Sequence, residues 1–62
     1  MRRYLVQFDT EVGTHYFAGM KNGVPDFTAS RKGAVRFNKK RECEEAIKLS
    51  HRLYSKIVKE VN

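Results

Sequence analysis

The stretch "RECEEAIKLSHRLYSKIVKEV", Arg41 to Val61, decides how the rest of the chain is arranged, because it carries the longest run of regularly spaced apolar residues. Cys43, Ala46, Ile47, Ser50, Leu53, Tyr54, Ile57, Val58 and Val61 recur at intervals of three and four, while Glu44, Lys48, Arg52 and Lys59 fall between them. That spacing gives a helix one broad apolar face and one charged face. It predicts a single long C-terminal helix over about residues 39–60, with Asn38 as its N-cap and Leu49 at the margin of the apolar face.

N-terminal to this stretch the period is different. From Arg3 to Asp9, Tyr4, Val6 and Phe8 alternate with Leu5, Gln7 and Asp9, the pattern of a half-buried strand over about 3–9. Asp9 to Thr14 supplies a turn, and Thr14 to Met20 reads as a second strand over about 14–20. Asn22-Gly23 is a strong hairpin signal, since a type I′ turn needs two residues that tolerate positive φ. A third strand follows over about 24–29, and Pro25, with no amide hydrogen to donate, puts it at a sheet edge. For residues 30–37 two readings stand: a short helical turn capped by Ser30, with Ala34 and Phe37 pointing inward, or a fourth strand over Ala34 to Phe37.

The fold expected from these elements is α+β: a three-stranded antiparallel meander with one long helix packed on one face, as a single domain over residues 1–62. One helix covers only one face of a sheet, so the other must be solvated or matched to a partner. Tyr4, Phe8, Tyr16, Phe17 and Phe27 in three short strands imply rings on both faces.

The chain carries a net charge of +6. Residues 1–30 hold three basic and three acidic side chains, and residues 42–62 hold four of each. The excess therefore lies in "RKGAVRFNKKR", where Arg31, Lys32, Arg36, Lys39, Lys40 and Arg41 stand without an acid. Lys39, Lys40 and Arg41 would open the helix where its dipole disfavours cations, a violation that suits an anion bound at the helix start. Lys48, Arg52, Lys56 and Lys59 would extend a secondary basic ridge along the outward face of that helix, although Glu44 and Glu45 also offer Lys48 ordinary surface pairing.

Catalytic chemistry finds little support. Cys43 is the only cysteine, which excludes an internal disulfide and a multi-cysteine zinc site and suits a reducing compartment. His15 and His51 have no further ligand at metal spacing, and Ser30, Ser50 and Ser55 have no evident base. Gly13, Gly19, Gly23 and Gly33 form no phosphate-loop pattern. The expectation is therefore no enzyme, no metal, no cofactor and no small-molecule substrate. "MRRYLVQF" begins with two arginines but lacks the apolar run of a secretory leader, no stretch is long enough to span a membrane, and a cytoplasmic location is expected.

The order strand, strand, Asn-Gly turn, short strand, helix, with Phe27-Thr28, Ala34, Phe37 and Ala46 at their places, resembles small uncharacterised proteins encoded by bacteriophages and prophages. The likeness covers nearly the whole chain and rests on core positions, so it implies a β-β-β-α fold and a mobile-element origin. Phe37 ahead of a helix with Cys43 and Ala46 is also similar to three-stranded DNA-binding domains of the plant ethylene-response class and phage integrase arm-binding domains. Those domains read DNA with arginines and tryptophan on the sheet, whereas these strands carry Arg3, Lys21 and little other positive charge.

The expected function is that of a small basic accessory protein that binds nucleic acid or another polyanion through Arg31, Lys32, Arg36, Lys39, Lys40 and Arg41. The alternative is an interaction module that docks on an acidic or other surface of a host protein, and could inhibit it, using its uncovered sheet face. A homodimer is a further expectation, with Leu49 and Val58 as the margins of the helix that a second copy would cover; Phe37 and the connector are the intramolecular alternative.

Overall fold

The computed structural model describes residues 2–51 and 54–61. Strands β1 (Arg2–Thr10), β2 (Gly13–Lys21) and β3 (Val24–Thr28) form an antiparallel meander. Asn22 and Gly23 turn the second hairpin with φ of 52° and 77°, as a type I′ turn requires. A 3-10 helix, Arg31–Gly33, begins the connector, and a single helix α1 (Lys40–Ser50) follows it. The chain then ends in a strand, β4 (Ser55–Val61), antiparallel to β1, which completes a four-stranded sheet in the order β3-β2-β1-β4.

The three-stranded sheet and the long helix over 39–60 are thereby corrected. The helix is short and lies between strands. His51 follows it in the left-handed region, with φ 51° and ψ 38°, and Tyr54 has φ 58°. The apolar spacing misled because Ile57-Val58 satisfies two periods at once. On a helix such neighbours share an apolar margin; on a strand they point to opposite faces.

What selects the strand is β1. Leu5 and Val6 are both completely buried, so both faces of β1 are covered, and the meander supplies β1 with a neighbour on one side only. Pairing from Arg2↔Val61 to Phe8↔Ser55 supplies the other. Ile57 then lies beside Val6 under the helix, and Val58 lies beside Leu5 on the far face. Isoleucine and valine, stiff at χ1, fit such a pleated surface better than a helix.

The core between sheet and helix consists of Val6, Phe8, Phe17, Cys43 and Ala46, with Tyr4, Phe27, Val35, Phe37, Ile47 and Ile57 packed at its edge. Phe27 meets Phe8 edge-on at 5.3 Å between ring centroids, and Phe37 stacks on Phe17 at 6.0 Å. Small side chains at Cys43 and Ala46 let α1 approach the strands closely.

The connector is part of the sheet's structure. Pairing of β1 with β2 runs from Thr10↔Gly13 to Gln7↔Tyr16, and the β2–β3 register shifts between Phe17 and Gly19. Residues 35–37 enter between β1 and β2 where their pairing ends: Val35 N–H donates to the Phe17 carbonyl at 3.0 Å, and Tyr4 and Phe37 exchange backbone bonds of 2.8 and 2.7 Å. Gly19, with φ +107°, lies where a Cβ would come 3.5 Å from Val35 Cγ2.

Candidate polyanion-binding surface

Six cations of the connector and helix start divide into two groups. Arg36 is half-buried and bound within the fold. Its Nε donates to Glu60 Oε1 at 2.6 Å, its Nη2 to Glu60 Oε2 at 3.5 Å, and its Nη1 to the carbonyls of Ala34 at 2.6 Å and Arg31 at 2.9 Å. Arg31 Nε donates to Glu60 Oε2 at 3.2 Å. Glu60 stands on β4, so these bonds tie the connector to the last strand. The Arg36 hydrogen bond, followed by the charges and hydrogen bond of the two arginines, holds the Glu60 carboxyl below its usual pKa of 4.5 against a smaller opposing effect of burial.

Lys32, Lys39, Lys40 and Arg41 are exposed and have no ion pair among the described residues. Lys39 occupies the N-cap position in place of Asn38, and no side chain caps the helix there. A lysine side chain cannot accept a hydrogen bond from the helix amides, so the Lys40 and Arg41 N–H groups have no side-chain cap beside three successive cations. Glu42 is the acid in that turn, and its amide bonds back to the Lys39 carbonyl at 3.2 Å.

The secondary ridge does not persist as one line. Lys48 is exposed on α1, but Lys56 and Lys59 belong to β4, an odd number of residues apart and therefore on opposite faces. Lys59 pairs across from Tyr4 on the helix side, and Lys56 pairs across from Gln7 on the other. Arg52 and Leu53 lie outside the described residues.

A second surface went unread in the sequence. Between α1 and the outer half of β2 runs a groove of about 210 Å³, floored by Phe17, Phe37 and Ala46, rimmed by Met20 and Leu49, and flanked by Glu42 and Glu45. Met20 and Leu49 are 47% and 53% exposed. The groove opens beside the helix because α1 packs chiefly over β1 and β4, although Phe17 of β2 is itself only 4% exposed. The opposite sheet face presents Arg3, Asp9 and Lys56 together with half-buried Gln7, Tyr16 and Val58. Signals for the groove were present: Leu49 at the helix margin and Met20 at the end of a strand are large apolar residues beside polar ones.

Cys43 is buried, and burial, helped by the nearby Glu42 and Glu44 charges, pushes its thiol pKa up to about 11. Among the described residues no cluster of His, Cys, Asp and Glu could hold a metal ion, and no helix is long and apolar enough to cross a membrane. No protein family, curated protein or solved structure matches the chain.

Proposed function

We propose that this chain is a small non-enzymatic accessory protein, of the kind that phage and prophage genomes encode, that binds nucleic acid through the start of α1. The observation that carries this reading is the exposed run Lys39, Lys40, Arg41 around an uncapped helix N-terminus. The amides and the dipole favour a phosphate there, and the side chains add contacts to its neighbours along a strand. Lys32 on the connector is the next cation available, whereas Arg31 and Arg36 serve the fold through Glu60. Contacts to phosphate give affinity with little sequence preference and a steep fall with salt.

The deciding experiment titrates labelled duplex and single-stranded DNA and RNA at two salt concentrations. Binding that weakens linearly in log salt supports the proposal; no binding to any of them at low salt overturns it.

A second reading rests on the groove. Its apolar floor, exposed Met20 and Leu49, and two carboxylates suit an apolar side chain of another protein flanked by lysine or arginine. Capture of one stoichiometric protein that survives nuclease treatment, and is lost on Leu49→Asp, would favour docking over nucleic-acid binding.

A further inference from the structure

We infer that the outer edge of β4 pairs with the same edge of a second copy, giving a two-fold dimer with one continuous eight-stranded sheet. The backbone directions can be assigned from the bonds on either side of β1. Tyr4 exchanges both its backbone bonds with Phe37, on the side away from β4, whereas the Asp9 amide reaches the Tyr54 carbonyl on the β4 side at 3.3 Å. Alternation along β1 therefore turns the backbone groups of Arg3, Leu5 and Gln7 toward β4. Their partners Glu60, Val58 and Lys56 are the β4 residues bonded inward. Ser55, Ile57, Lys59 and Val61 turn their amides and carbonyls outward, and among the described residues no strand lies beyond them. The other edge, β3, is five residues long and contains Pro25, so β4 is the edge fit for pairing.

The side chains on β4 select the register. Edge lysines normally discourage pairing, and Lys56 and Lys59 are both exposed. With Val58 facing Val58 of the second copy, Lys56 lies opposite Glu60 and Ile57 opposite Lys59, each twice by symmetry. Sliding the strands by two residues one way sets Lys59 against Lys59. Sliding the other way moves Glu60 opposite Tyr54 and leaves Lys56 without an acid. One register thus brings Lys56 beside the Glu60 carboxylate, which also accepts from Arg31 and Arg36, and the neighbouring registers bring Lys56 no acid.

The helix layer agrees with it. α1 packs over β1 and β4, and its groove-lining residues Glu42, Glu45 and Leu49 mark the flank toward β2. Helical spacing puts Glu44 and Lys48 toward the opposite flank, on the β4 side. A two-fold axis normal to the sheet sets the second α1 antiparallel to the first at about 10 Å, roughly two strand spacings and an ordinary distance for packed helices. Glu44 of each copy then comes toward Lys48 of the other.

Sedimentation from about 1 μM to 1 mM tests this, together with hydrogen exchange at the Ile57 and Lys59 amides. The expected result is a mass that rises with concentration from 7.3 kDa toward twice that value, with protection of those two amides rising in parallel. Lys59→Pro removes an outward donor without touching the β1 ladder, and Lys56→Glu sets like charges across the two-fold. Either should weaken the dimer at least tenfold, and Leu49→Asp should leave it unchanged. A mass that stays at 7.3 kDa throughout overturns the inference. So does a dimer that Leu49→Asp dissolves while Lys56→Glu and Lys59→Pro leave it intact, since that pattern belongs to the groove.

Discussion

Arg36 and Glu60 stand twenty-four residues apart in sequence and meet at 2.6 Å, Nε to Oε1, across the gap between the connector and the last strand. The arginine also donates to the carbonyls of Ala34 and Arg31, so one side chain shapes the 3-10 turn and fastens it to β4. Arg36→Ala leaves Glu60 with its Arg31 bond alone and the Ala34 carbonyl without its donor, and should destabilise the fold by about 1 kcal/mol, the usual net worth of a hydrogen bond. Arg31→Ala, at a more exposed site, should do much less. Urea denaturation of both variants measures the difference; equal losses would show that Arg36 has no special structural part.

Acid should reveal the same ion pair. The folded-state pKa of Glu60 lies below that of the unfolded chain, so the unfolded state takes up its proton first as pH falls. The stabilisation is complete above about pH 4.5 and is lost as pH drops through the lower folded value. Glu60→Gln should be less stable at pH 7 and should lose less stability on going to pH 3. Thermal melts of both proteins at those two pH values check this, and parallel pH profiles would contradict it.

Cys43 gives the opposite limb. Its pKa rises from 9.0 to about 11 on folding, so the unfolded thiol ionises first as pH increases. Stability from this group is full below pH 9 and declines as pH climbs toward 11. A thiol reagent at pH 8 should label the native protein only through opening of the fold, and Cys43→Ala should flatten the alkaline decline. Labelling at the rate of an unfolded peptide would mean that the thiol is accessible.

At the helix start, Lys39→Ala, Lys40→Ala and Arg41→Ala should each lower DNA affinity without sequence preference. Each should also reduce the slope of log affinity against log salt by about one unit for every phosphate that the variant no longer neutralises. Lys56→Ala, on the sheet face opposite the helix, should leave that slope nearly unchanged. Uniform effects at all four positions would point to diffuse attraction by net charge.

The first three strands could be read because their signals are local: alternation through Tyr4, Val6 and Phe8, and Asn22-Gly23 at a turn that demands positive φ. The last strand could not be read the same way. Its identity depends on Leu5, whose complete burial on the far face of β1 becomes intelligible only when Val58 lies beside it. The basic stretch was legible as charge, but its division was not. Nothing near Arg31 or Arg36 in sequence indicates that their acid is Glu60, whereas the exposure of Lys39, Lys40 and Arg41 follows from their place at a helix start.

The end of the helix provides a test whose sign depends on the fold. His51 adopts φ 51° and ψ 38°, a left-handed conformation that costs a residue with a Cβ about 1–2 kcal/mol and glycine little. In a helix running on to residue 60, His51→Gly would sit mid-helix and destabilise by about 1 kcal/mol through its backbone entropy. With the helix stopping at Ser50, the same substitution places glycine at the position that favours it most. It should therefore stabilise the protein by about 0.5–1 kcal/mol, the released strain exceeding the entropy glycine adds to the unfolded chain. Tyr54, at φ 58° and exposed, should respond to glycine with the same sign. Urea denaturation of the two variants reads the result directly: stabilisation supports a helix that ends at Ser50 and a chain that reverses into β4, and a loss near about 1 kcal/mol at both positions would restore the continuous helix.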